Sequence, residues 1–145
     1  MRRRVSPFRR STMKSGKRAL RRGAAVVELA VTVPLLLILA FGTLEATTAI
    51  HLRQSLEVCA YEGARVALLP GTTSSNVQAA CESMLLDRGV SNATVQVTPS
   101  NFSGRPYGTE INVEISTTMA NNSPIPMLVL RNKTIVGSVT MMKER

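Results

Sequence analysis

The sequence predicts an α+β fold in which a single N-terminal transmembrane helix extends into a small domain built on an antiparallel sheet. Three observations predict it. Leu29 to Leu44 is an uncharged, mostly aliphatic run of sixteen residues. Two segments after it carry apolar residues at helical spacing, and three segments near the C-terminus alternate apolar with polar residues. The implied organisation is a basic cytoplasmic leader over 1–23, a transmembrane helix over 24–50 and an exported domain over 51–145.

The leader is set apart by charge. The chain has 18 Lys and Arg against 9 Asp and Glu, and ten of those cations lie between Arg2 and Arg22, before the first acid at Glu28. The remaining eight cations face all nine acids, so the net charge of +9 belongs to the leader. Such a tail can bind nucleic acid, direct import into an organelle, or hold one end of a membrane segment on the cytoplasmic side. It contains one aromatic residue, Phe8, and no motif for base contact, so no nucleic-acid partner is expected. The apolar run that follows favours the membrane reading.

At about 1.5 Å per residue the run from Leu29 to Leu44 spans roughly 24 Å, and its flanks extend it past a hydrocarbon core of roughly 30 Å. Apolar residues occur all round the helix, as contact with lipid requires. A buried core helix is the bland alternative, but so small a domain could not cover it on every side. The cations before the span put the N-terminus in the cytoplasm and the C-terminus outside. Pro34 removes one backbone donor inside the span, and Thr32 is expected to help satisfy the group it frees. Glu28 is a carboxylate just inside an apolar helix. It either reaches back to the interface or has a partner.

The helix is expected to continue beyond the membrane with Leu52, Leu56, Cys59, Gly63 and Val66 on one apolar stripe. Arg53–Glu57 and Glu62–Arg65 are spaced to pair on its polar side. Pro70-Gly71 stops it. Ser74 or Ser75 can cap a second helix, striped by Val77, Ala80, Cys81, Met84 and Leu85 and ended near Gly89. The short connection makes the two helices antiparallel with their stripes facing, so Cys59 and Cys81 are a disulfide candidate in an exported domain, buried free thiols being the alternative. Strands are expected around Ala93–Thr98, Ile111–Ser116 and Thr134–Met142, with loops at 99–108 and 121–126 and a short further element at 127–130.

Gly23-Ala24-Ala25-Val26-Val27-Glu28, placed after Arg21-Arg22 and opening an aliphatic helix, resembles the processing site of type IV prepilins. A longer pattern adds Leu29-Ala30, Pro34 to Leu37, Phe41-Gly42, Glu45 and the stretch Ala60-Tyr61-Glu62-Gly63-Ala64-Arg65. That combination is similar to the TadE-like family, pilin-like proteins of tight-adherence (Flp, type IVb) pilus systems. The resemblance implies a pilin-like domain and cleavage between Gly23 and Ala24 by a prepilin peptidase. It also implies that Glu28 neutralises the N-terminal amine of a neighbouring subunit, and it makes Pro34, Glu62, Gly63 and Arg65 family-motif residues. The implied partners are other pilin-like subunits, met through the transmembrane helix, the pilus assembly platform and the lipid bilayer. The implied location is the bacterial inner membrane, with passage to a pilus or the cell surface.

No nucleophile motif, phosphate loop or paired-carboxylate frame is present, and His51 is the only histidine. The expectation is a structural protein without cofactor, metal or enzymatic activity: a minor pilin or pseudopilin. The alternative is an exported binding module that stays permanently anchored and never polymerises.

Overall fold

A computed structural model describes residues 15–123 and 129–144, with the backbone alone for 15–22. Helix α1 spans Ser15–Ala67, 53 residues, and runs through Pro34. It starts inside the basic leader rather than at Ala24, because Lys17, Arg18, Ala19, Leu20, Arg21 and Arg22 are all good helix formers. Residues 1–14 of the leader lie outside the described residues. The chain forms two units, 1–41 and 42–145.

In the first unit α1 is apolar and open on all sides. Val26, Leu29, Val31, Leu35, Ile38 and Leu39 all remain exposed. Gly23–Ala67 is long and apolar enough to cross a membrane, with a mean hydropathy of 2.5 in its most apolar stretch. A helix with all backbone bonds internal and aliphatic side chains all round is the form that lipid accepts. Thr32 does not serve the group freed by Pro34. Its Oγ1 donates to the carbonyl of Glu28 at 2.7 Å, the usual reach of a helical threonine to the fourth residue before it. The carbonyl that Pro34 leaves without a helical donor is Ala30's.

The second unit is two-layered, with helices against one face of a sheet. Helix α2 (Ser74–Asp87) buries Val77, Cys81 and Leu85, as its stripe predicts. Its N-cap is Thr73 rather than Ser74 or Ser75, since Thr73 is the last extended residue; its hydroxyl caps no backbone N–H and instead meets that of Ser75 at 2.9 Å. Its end is a Schellman turn. Gly89 adopts a φ of 68°, its N–H reaches the carbonyl of Leu86, and the N–H of Val90 reaches that of Leu85.

The sheet has the order β1-β2-β3 and is antiparallel throughout: β1 (Thr94–Thr98), β2 (Glu110–Thr118) and β3 (Thr134–Met142). Val97 lies opposite Val113, and Ile115 opposite Gly137. The central strand buries Ile111, Val113, Ile115 and Thr117 on the helix side, while Gln96, Glu114, Ser138 and Thr140 face outward. On the outer face Asn112 Nδ2 donates to Thr140 Oγ1 across the strands at 2.9 Å.

Two features of this unit depart from the periodic pattern. Phe102, expected in a loop, is only 1% exposed and is the largest fully buried side chain. A short 3-10 turn, Phe102–Gly104, delivers it to the core. Lys143 fixes that turn by donating from Nζ to the carbonyls of Phe102, Ser103 and Arg105 at 3.4, 3.0 and 3.0 Å. The element expected at 127–130 falls largely outside the described residues, and Val129 and Leu130 are not strand.

Candidate functional site

The predicted site residues fall into two groups. In the first unit, Gly23, Ala24 and Glu28 lie on α1 and are exposed. A Cβ on Gly23 would meet nothing within 4 Å. Glycine inside a helix costs about 1 kcal/mol relative to alanine, and nothing within this fold requires it there. The Glu28 carboxylate makes no hydrogen bond or ion pair among the described residues, and exposed Val26, Val27 and Leu29 surround it in sequence. It is an acid on an apolar helix surface whose partner is not supplied by the described chain.

In the second unit α1 buries Leu52, Leu56, Cys59 and Gly63 as predicted, together with Ser55, Ala60, Ala64 and Ala67, while Val66 is half-buried. The Arg53–Glu57 and Glu62–Arg65 pairs form at 2.9 and 3.8 Å. Both lie on the surface, where such pairs contribute a few tenths of a kcal/mol. Of the motif Glu62-Gly63-Arg65, the glycine is therefore the member the fold depends on. A Cβ there would overlap Cys81 Sγ and come within 3.4 Å of Val113 Cγ1 and 3.5 Å of Val77 Cγ1. Gly63 is the notch through which α1, α2 and β2 meet.

Cys59 and Cys81 are fully buried and adjacent, so the facing of their stripes is realised. The disulfide read as a candidate is not formed in this structure, which holds both as free thiols. Cys81 Sγ instead fills the notch over Gly63 and lies 3.7 Å from the Cys59 carbonyl, to which its S–H donates. Burial pushes Cys81 from an ordinary 9.0 up to about 11, with Cys59 and Glu82 adding to the rise. Burial also raises Cys59, against the pull of the Arg88 charge.

A thiol that stays protonated when folded and ionises more easily when unfolded contributes stability below the unfolded pKa. For Cys81 that contribution is complete below pH 9.0 and is lost as pH rises toward about 11. Denaturant unfolding of the reduced chain in detergent is expected to show a midpoint falling across that window. Cys81→Ala should flatten the fall, and an equal fall in the variant would assign it to other groups.

Glu45 closes the apolar run and belongs to the pattern that resembles the TadE-like family. It is 5% exposed, and both carboxylate oxygens accept the backbone N–H of Val129, at 3.2 and 3.3 Å. A carboxylate receiving a backbone donor 84 residues away ties the segment before β3 to the helix.

A long apolar helix, a second helix and a three-stranded antiparallel sheet give the chain an α+β fold. Residues 23–65 match the family model described as TadE-like protein, which bears out the resemblance on that segment. The match begins at Gly23 and ends at Arg65, so it takes in every predicted site residue except Cys81. No curated protein and no solved structure matches the chain.

Proposed function

We propose that this protein is a minor pilin or pseudopilin-like structural component of a tight-adherence pilus or related secretion assembly, acting through subunit contacts rather than catalysis. The observation that carries the reading is Glu28. It lies within the TadE-like segment, on an exposed apolar helix, with no partner among the described residues. A carboxylate in lipid is costly alone, whereas a cleaved neighbour's α-amine at a helix end would neutralise it and fix the register of assembly. Gly23, whose lack of a side chain serves nothing in the fold, fits recognition by a prepilin peptidase cutting before Ala24. Exposed Ala24, Ala25 and Gly42 allow helices to approach closely in a membrane or filament. In this reading the N-terminus is cytoplasmic and residues beyond the span lie outside the inner membrane.

One observation favours the permanently anchored alternative. Helix α1 runs unbroken across the Gly23–Ala24 bond, so cleavage requires that part of the helix to open. Intact mass and N-terminal sequencing of the chain extracted from its native membrane discriminate the two. A chain starting at Ala24 supports the pilin reading, and one retaining Arg2 supports the anchor. Glu28→Ala should leave membrane insertion unchanged while co-purification with pilin-like partners falls by at least about tenfold. Undiminished co-purification would remove the charge-pairing role.

A further inference from the structure

Beyond the site just described, α1 and the end of α2 flank a small, half-open recess of about 70 Å³, with apolar Leu52 and Val90 and polar Thr48, His51, Ser55, Arg88, Gly89 and Asn122 around it. Its walls are built. Asn122 donates from Nδ2 to the Ser91 carbonyl, Thr117 Oγ1 and the Thr118 carbonyl, and its Oδ1 accepts the Ser91 N–H at 2.7 Å. Gly89 spends its N–H on the Schellman turn, and Thr48 spends its hydroxyl hydrogen on the Leu44 carbonyl.

Three donors remain. Ser55 is 4% exposed, yet its hydroxyl has no hydrogen-bond partner among the described residues. The Arg88 guanidinium and the His51 ring likewise make no hydrogen bond or ion pair among them. The last α2 carbonyls, which would repel an anion, are occupied by the turn. Glu45, one helical turn below, is not part of the lining and accepts from Val129. The hydroxyl of a nine-tenths buried residue, with the exposed His51 ring and Arg88 guanidinium beside it, around a space of this size suits one tetrahedral oxyanion.

The height of the cavity along α1 points to the source. The predicted span ends at Ile50, and at about 1.5 Å per residue His51 and Ser55 lie roughly 2 and 8 Å beyond it. Headgroups occupy roughly 5–8 Å on each side of the hydrocarbon core. We infer that this cavity binds the phosphate of a membrane phospholipid headgroup, seating the exported domain on the bilayer surface. The inference rests on the membrane-spanning reading of α1, but not on cleavage or polymerisation.

The test uses the full chain in detergent micelles, titrated with dioleoyl phosphatidylglycerol and followed by native mass spectrometry. Wild type is expected to retain the lipid about tenfold more tightly than Arg88→Gln, the loss of one charge-assisted hydrogen bond. Ser55→Ala should weaken retention in the same direction. Neither side chain hydrogen-bonds to the described residues, so melting should be unchanged. Dioleoylglycerol, which lacks the phosphate, should not be retained. Equal retention of both lipids, or of phosphatidylglycerol by Arg88→Gln, overturns the site. Glycerol phosphate that competes as well as the lipid keeps the oxyanion chemistry but overturns the membrane source. Alkaline extraction of native membranes separates the premises: release of the chain defeats the anchor, whereas firm retention with no Arg88 effect defeats only the cavity.

Discussion

Gly137→Ala is expected to destabilise the α+β unit of residues 42–145 by about 2–3 kcal/mol, the largest loss expected of any single substitution named here. Gly137 lies on β3 where that strand crosses α1, and it is buried. A Cβ at this position would lie 2.6 Å from the backbone nitrogen of Glu57 and 2.7 Å from the carbonyl carbon and Cβ of Leu56. None of those atoms can rotate away. Either the strand or the helix must move, so the cost belongs at the upper end of the roughly 1–3 kcal/mol typical of overpacking. Relief of glycine's backbone entropy offsets about 0.5–1 kcal/mol of it. Thermal unfolding in detergent, followed by far-ultraviolet circular dichroism, should place the transition roughly 8–15 °C lower. Gly104→Ala is the control, because a Cβ there meets nothing within 4 Å. Equal melting of the two variants would mean that β3 does not approach α1 so closely.

The residues that sequence alone made legible are those whose role repeats along the chain. Leu29 to Leu44 declares a long apolar helix because every residue in it says the same thing. Ile111, Val113 and Ile115 declare a strand because a period of two leaves them on one face. Cys59 and Cys81 could be set facing each other because each belongs to a helical stripe and the connection between the helices is short. What stayed hidden depends on single, non-repeating contacts. Phe102 sits among Ser, Gly, Asn and Arg, and a lone aromatic in a polar loop carries no period. Its burial depends on Lys143, some forty residues later. Glu45 accepts from a backbone N–H 84 residues away, and a backbone donor has no sequence signature.

Gly137 was the one hidden contact with a local signal, since a glycine inside a strand marks a bulge or the close approach of another backbone. At Glu28 the division is of another kind. The sequence pattern names the residue, whereas the described chain holds no group that answers its charge. The fold thus accounts for Gly63, Gly137 and Glu45 internally, whereas among the described residues nothing packs on Gly23 or answers the charge of Glu28.

Gly63→Ala should destabilise the reduced domain by about 1–3 kcal/mol, and Cys81→Ala should restore part of that loss when the two are combined. The added methyl group would occupy the place of Cys81 Sγ, while Val113 and Val77 at 3.4 and 3.5 Å leave it no other room. Cys81 is fully buried, so its sulfur cannot swing into solvent. Cys81→Ala by itself leaves a void the size of one sulfur atom, at a cost on the order of 1 kcal/mol. In the double variant the new methyl group enters that void, so the combined loss should fall short of the sum by about 1 kcal/mol or more. Unfolding midpoints of all four proteins, measured under reducing conditions at neutral pH, give the coupling directly. Simple additivity would mean that the sulfur does not occupy the notch, and that Gly63 answers to contacts with other subunits rather than to the packing of α2 on α1.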